Sequence, residues 1–185
     1  SLSATSTTAI NINGGSVITT GAQTYTGPAL LGADTTLTST TSGAISFSST
    51  LNSASGNRNL TVNAANGNIT FTGAIGGTTP LGFLTAKALV STNDISFGST
   101  SNFNSASPIT VIAGRNISLA NTMTNSGTGA VYLRTDYTAT GTGTVTVTTG
   151  NITATAGGVN IYYNPTTFGV QDTIYSGSGA ATKYM

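Results

Sequence analysis

Carboxylate side chains are the groups in this sequence best suited to catalysis, and the chain has four of them. They are Asp34, Asp94, Asp136 and Asp172, and there is no Glu, His, Cys or Trp. A polysaccharide hydrolase or lyase needs clustered carboxylates or a base in one groove. Asp34 and Asp94 lie in turn sequences, where Asp usually hydrogen-bonds its own backbone. We therefore expect no catalytic site, and a surface ion pair between Arg134 and Asp136.

Metal, phosphate and nucleic-acid sites are not indicated by the sequence. Cysteine and histidine ligands are absent, no glycine-rich calcium repeat or EF-hand loop occurs, and the glycines are isolated turn residues. Five Lys and Arg residues against four Asp give a net charge of +1. This charge predicts neither nucleic acid nor another polyanion as a partner. We expect no cofactor and no metal.

Four asparagines form N-x-S/T sequons at the starts of predicted strands: Asn59, Asn68, Asn116 and Asn151. They are candidate glycosylation sites. Asn is also a common turn residue at such positions, and a chain in which Thr, Ser, Asn and Gly exceed half of all residues contains such triplets by chance. The turn interpretation is therefore favoured for all four.

Two further patterns suggest ligand binding. The aromatic residues Tyr162, Tyr163, Phe168 and Tyr175 near the C-terminus are a candidate stacking platform for sugars. They are equally suited to capping the end of a stacked fold, which is the favoured interpretation. The Thr-rich segment 142–148 is similar to ice-binding surfaces, but its irregular spacing favours an ordinary role for Thr as a strand former.

The strands that carry these residues follow a repeated pattern. A Gly, Asn or Asp precedes a short apolar–polar–apolar segment, and the first copies are 43–47, 67–71 and 93–97. Period-2 alternation predicts strands, and regular recurrence over this distance predicts a stacked fold. Charged residues make up 5% of the chain, against roughly 25% in ordinary soluble domains. A mean hydropathy of +0.14 nevertheless argues against disorder.

The repeat predicts an all-β parallel β-solenoid of about seven or eight coils, with about 22 to 25 residues per coil. Stacking would place Ile45, Ile69 and Ile95 in one inward column and the Phe two positions after each in another. Residues 1–163 are predicted to form the solenoid, with a continuous strand over 44–51. Residues 164–185 are predicted to form an aromatic tail that caps it or joins a following segment.

Part of the chain resembles the repeat region of filamentous-haemagglutinin-like bacterial exoproteins, which are large surface or secreted adhesins, many of them exported by two-partner secretion. The resembling segments are 16–27, 31–39, 59–64, 67–71 and 73–81. The resemblance implies a right-handed parallel β-helix and adhesion at a cell surface. It also implies a cell-surface glycan or protein receptor, an outer-membrane secretion partner, and an extracellular location as a fragment of a longer exported chain.

These observations together predict a structural and adhesive stalk that attaches to host cells, surfaces or biofilm matrix. Direct membrane insertion is not expected, because no apolar run approaches the roughly 20 residues that span a bilayer. The alternatives are a polysaccharide-processing β-helix enzyme and a carbohydrate- or ice-binding module. A carboxylate pair in one groove would favour the enzyme, and a flat Thr array would favour ice binding.

Overall fold

The computed structural model describes residues 1–140, 143–162 and, for the backbone, 182–184. These residues form strands and no helix. The strands pair in parallel between successive turns of the chain and build a β-solenoid of seven coils. The predicted fold class is confirmed.

Each coil contributes one strand to each of three faces, with one exception in the fourth coil. In chain order the strands of the first half are β1 (Leu2–Thr5), β2 (Ile10–Ile12), β3 (Ser16–Thr19), β4 (Gln23–Thr26), β5 (Ala29–Leu31), β6 (Thr35–Ser39), β7 (Ile45–Phe47), β8 (Leu51–Ser53), β9 (Leu60–Ala64), β10 (Ile69–Phe71) and β11 (Leu84–Ala88). Those of the second half are β12 (Ile95–Phe97), β13 (Ser101–Phe103), β14 (Ile109–Ala113), β15 (Ile117–Leu119), β16 (Met123–Asn125), β17 (Val131–Arg134), β18 (Val145–Val147), β19 (Ile152–Ala154), β20 (Val159–Tyr162) and β21 (Thr182–Tyr184).

Three sheets run along the axis of the stack. The first sheet has the order β1-β4-β7-β10-β12-β15-β18, and the third has the order β3-β6-β9-β11-β14-β17-β20-β21. The second consists of β2-β5-β8 and β13-β16-β19, which isolated bridges at Ile75 and Leu81 join across the fourth coil. At about 4.8 Å per coil the stack is about 34 Å long.

The coils differ in length although their strands stay in register. In the first sheet the shortest step leads from Leu2 to its partner Gln23, and the longest leads from Ile117 to its partner Val145. The additional residues of the longer coils lie in the loops between strands. Loop length therefore varies without disturbing the pairing of the strands.

The predicted inward columns are confirmed. Ile45, Ile69 and Ile95 are register partners, and each is fully buried. The adjacent phenylalanines stack with ring centroids 5.5 Å apart for Phe47 and Phe71. Sequence reasoning missed the fourth ring of this stack, since Tyr25 lies 4.7 Å from Phe47. Offset stacking of this kind adds to the area that the rings bury.

Tyr25 needs a polar partner because its hydroxyl lies inside the stack. The hydroxyl donates to Oε1 of Gln23 at 3.0 Å, and Gln23 Nε2 donates to the carbonyls of Val17 at 3.1 Å and Thr38 at 2.9 Å. Burial raises the pKa of Tyr25 to about 12, so the phenol stays neutral at ordinary pH. The fully buried Gln23 thereby ties the first sheet to the third.

The continuous strand predicted over 44–51 is wrong. The chain turns a corner between β7 and β8, and the amide of Ser48 donates to the carbonyl of Tyr25 in the preceding coil. Three consecutive hydroxyl residues, 48–50, form this corner. Because these residues are polar and Leu51 follows them, the sequence looks like one alternating strand, although the backbone passes there from the first sheet to the second.

The strand β21 lies within the predicted tail 164–185. It pairs in parallel with β20, with Thr182 opposite Asn160 and Tyr184 opposite Tyr162. Part of this segment therefore adds one strand to the end of the third sheet.

Replacing Phe71 by Ala should remove one ring from the middle of the aromatic stack. The cavity should lower the free energy of unfolding by about 3–5 kcal/mol. Thr70→Ala on the outer face of the same strand is the matched control and should change it by less than about 0.5 kcal/mol. Urea denaturation followed by far-UV circular dichroism measures both, and equal midpoints would contradict the inward stack.

Candidate functional site

The outer face of the first sheet carries one hydroxyl per coil in register. The column consists of Ser3, Thr24, Ser46, Thr70, Ser96, Ser118 and Thr146. Neighbouring members are close enough for contact, as Ser96 Oγ donates to Thr70 Oγ1 at 3.4 Å. This column is uncharged and runs the full length of the described stack.

Beside the hydroxyl column, side chains in front of each strand bind the backbone of the next coil. Asn68 Oδ1 accepts from the amide of Asp94 at 2.9 Å, and Asp94 Oδ1 accepts from the amide of Asn116 at 3.0 Å. Asn116 Oδ1 then accepts from the amide of Thr144 at 3.1 Å. We call Asn68, Asp94 and Asn116 the amide ladder.

The third sheet has a shorter version of the same arrangement. Asp34 accepts from the backbone amide of Asn59 at 3.0 Å and from its Nδ2 at 2.8 Å, and Asn59 Oδ1 accepts from the amide of Phe83 at 3.0 Å. The prediction that Asp34 and Asp94 bond their own turns is therefore wrong. Each carboxylate bonds the following coil, which a single coil of sequence does not reveal.

Asp94 also forms the one side-chain ion pair among the described residues. The guanidinium of Arg115 donates two hydrogen bonds to this carboxylate, from Nε to Oδ1 at 2.9 Å and from Nη2 to Oδ2 at 2.6 Å. The hydrogen bond from Arg115 holds the pKa of Asp94 below its usual range, with the amide of Asn116 acting in the same direction. Asp94 is thus a fixed anion, and each of its oxygens accepts at least one hydrogen bond.

A shallow groove of about 380 Å³ lies between the amide ladder and the hydroxyl column. Its described lining includes Thr70, Ser96 and Ser118, and Asp94 is the one carboxylate in that lining. Glycoside hydrolysis needs two carboxyl groups across the scissile bond. This groove offers hydroxyls and amides to a ligand, together with a single carboxylate already held by Arg115.

The four sequon asparagines lie where strands begin. Asn59, Asn68 and Asn116 use their side-chain oxygens to bind the backbone of the next coil, a contact that their interpretation as turn residues did not include. The backbone amide of Asn151 donates to Thr122 Oγ1 at 3.4 Å. Glycosylation of these sites stays a prediction.

Of the predicted aromatic platform, Tyr162 lies on the outer face of the third sheet. Tyr163, Phe168 and Tyr175 lie outside the described residues, as does Asp172. Tyr162 stacks against Tyr132, with ring centroids 6.3 Å apart and planes at 22°. Sequence reasoning missed Tyr132, although it holds the outward position that Ser or Thr fills in most other copies of the repeat.

The predicted ion pair between Arg134 and Asp136 is wrong. Strand β17 ends at Arg134, and Asp136 turns inward with φ of +50° and no exposed surface. Asp136 Oδ1 accepts from the amide and the hydroxyl of Thr140, each at 2.7 Å. The guanidinium of Arg134 instead lies 4.9 Å from the ring centroid of Tyr137.

A regular Thr column occurs on the third sheet, away from the Thr-rich segment. It consists of Thr36, Thr61, Thr85 and Thr110. The neighbouring outward column holds Thr38, Asn63, Lys87 and Ile112 in the same coils. The hydroxyls of these strands therefore form one column, and not the flat two-dimensional Thr array that would favour ice binding.

Comparison with protein-family models, with curated proteins and with solved structures finds no match to this chain. Among the described residues there is no group of three or more His, Cys, Asp or Glu side chains placed to hold a metal ion. The same residues include no helix long and apolar enough to cross a membrane. The function has to be inferred from the two outer faces themselves.

The amide ladder predicts a specific pattern of tolerance at position 116. Asn116→Ala removes the acceptor for the amide of Thr144 and should lower the free energy of unfolding by roughly 1 kcal/mol. Asn116→Asp keeps an oxygen at the same place but adds a carboxylate one coil from Asp94, so it should lose less when both variants are measured in roughly 1 M salt, which screens that repulsion. Denaturant midpoints of the two variants test this, and equal losses would show that the side chain does not act as an acceptor.

The lowered pKa of Asp94 predicts a pH-dependent contribution to stability. The ionised form is favoured by folding, so the contribution is present above the unfolded pKa of about 3.9 and is lost as the pH falls through the lower folded value. Asp94→Asn keeps the acceptor for Asn116 but removes the charge. Its deficit against the parent chain should shrink between pH 7 and pH 2 in thermal melts, whereas a pH-independent deficit would exclude an electrostatic role.

Proposed function

We propose that this chain is a structural and adhesive segment of a large extracellular bacterial exoprotein, in which it acts as a stiff stalk that attaches through its outer faces. The observation that carries the proposal is the unbroken register of the coils. Every described coil pairs with its neighbours on the first and third sheets. A stack in which each repeat contacts only its neighbours can be extended without changing its cross-section.

The outward side chains support attachment to polar, uncharged or weakly charged surfaces. A hydroxyl column and an amide ladder run beside each other over the first sheet, with Asp94 neutralised by Arg115. Hydroxyl and amide groups both donate and accept hydrogen bonds. Such a surface suits glycans, which present the same groups at short intervals.

The described carboxylates support the stalk over the enzyme. Asp34, Asp94 and Asp136 lie in the second, fifth and sixth coils, and each has a structural partner: Asn59, Arg115 and Thr140, respectively. A carboxylate whose oxygens hold the fold together is poorly placed to transfer a proton to a substrate.

Beads that carry the covalently coupled full chain test the adhesive role. They should resist shear on surfaces coated with polysaccharides or with glycoproteins better than beads that carry albumin. The same chain should release no new reducing ends from a panel of soluble polysaccharides. Retention no better than albumin on every surface would contradict adhesion, and cleavage that disappears in Asp94→Asn would replace the stalk by an enzyme.

A further inference from the structure

The outer face of the third sheet changes character along the stack. Its first outward column reads Ser16, Thr36, Thr61, Thr85, Thr110, Tyr132 and Asn160. Its second reads Ile18, Thr38, Asn63, Lys87, Ile112, Arg134 and Tyr162. Hydroxyls dominate the early coils, whereas aromatic and cationic side chains appear from the fourth coil onward.

Four of these residues form a compact patch on the sixth and seventh coils. In register, Tyr132 lies opposite Asn160, and Arg134 lies opposite Tyr162. The rings of Tyr132 and Tyr162 stack diagonally between these two pairs, with their centroids 6.3 Å apart. Tyr137 extends the patch beneath the Arg134 guanidinium and is 41% exposed. The patch offers aromatic surface flanked by an amide and a guanidinium.

Two positive charges lie on one column of this face. Lys87 and Arg134 are separated by Ile112, which places their backbones two coil spacings, or about 10 Å, apart. The outward positions of β3, β6, β9, β11, β14, β17 and β20 contain no Asp or Glu. Asp136, two residues after Arg134, is fully buried and accepts from Thr140, so its carboxylate is not presented on this face. The outward strand positions of this face therefore carry two cations and no anion, in a chain whose net charge is +1.

We propose that this face binds a uronate-containing polysaccharide that lies along the axis of the stack. The coil spacing of about 4.8 Å is close to the length of one pyranose in an extended chain, so the carboxylates of alternate sugars would meet Lys87 and Arg134. The planar Arg134 fork suits a carboxylate. The tyrosine faces suit the apolar face of a pyranose ring. The proposal rests on the adhesive function above and names the class of ligand for one of its faces.

Three immobilised polymers separate the parts of this proposal. Full-length chain should bind polygalacturonate at low ionic strength, and roughly 1 M salt should weaken this binding. The fully methyl-esterified polymer has the same sugars without charge, and polyglutamate has the charge without sugars. Each should bind roughly tenfold more weakly. Equal affinity for the ester would exclude recognition of charge, equal affinity for polyglutamate would exclude recognition of sugar, and no binding of polygalacturonate would overturn the proposal.

Surface substitutions locate the site. Arg134→Gln and Lys87→Gln should each weaken binding of polygalacturonate roughly threefold, and Tyr132→Thr should weaken it roughly fivefold. Ser55→Gln in an exposed loop is the control and should bind like the parent chain. Melting curves confirm that the variants are folded. Parent-like affinity in both charge variants would overturn this site.

The outcome is separable from that of the adhesive role. Binding of polygalacturonate that is insensitive to these substitutions, together with retention of the coupled beads, overturns the third-sheet site and leaves adhesion in place. Site-dependent binding without retention of beads on any surface supports the site and contradicts adhesion.

Discussion

Hydrogen bonding between successive coils is the constraint on which the rest of this structure depends. It fixes the spacing at about 4.8 Å and forces each inward side chain onto its counterpart in the next coil. The ring centroids of Tyr25, Phe47 and Phe71 accordingly follow at 4.7 and 5.5 Å. Only register has to be preserved, so the length of a coil is free to vary along the stack. In the fourth coil, Ile75 and Leu81 keep their bridges across a loop that replaces a strand.

The same constraint accounts for the scarcity of charge. A column of identical ions about 5 Å apart would repel along its whole length, whereas hydroxyls and amides tolerate stacking and bond to one another. Asparagine side chains form such hydrogen bonds between coils both at the surface and in the interior. Buried Asn125 accepts from the amides of Ser105 and Gly127 and donates to the carbonyls of Ser105 and Gly129. Lys87 and Arg134 share a column with Ile112 between them, which keeps the two cations two coil spacings apart.

The sequence predicted those parts of the fold in which a local pattern repeats. The columns of Ile69 and Phe71 could be predicted because the apolar–polar alternation and the interval between copies of the repeat recur along the chain. The strands β13 and β16 were missed because inward Ser101 and Asn125 break the apolar pattern, and both residues are buried. The partners of Asp34 and Asp94 were missed because they lie a whole coil further along the sequence. A candidate site on a solenoid is assembled from positions one coil apart, so motif spacing within a single segment does not reveal it.

Inward positions of this solenoid are dictated by packing, but outward positions are not. On the first sheet, the hydroxyl column persists from Ser3 to Thr146, which shows that Ser and Thr suffice at this outward position in every described coil. On the third sheet, the sixth coil has Tyr132 and Arg134 at its outward positions instead. Their side chains lie outside the core and close no gap within it, and aromatic surface left half-buried forfeits part of the hydrophobic gain that it could supply inside. Among the described residues the change is confined to the third sheet, which is what the proposed binding role of that face requires.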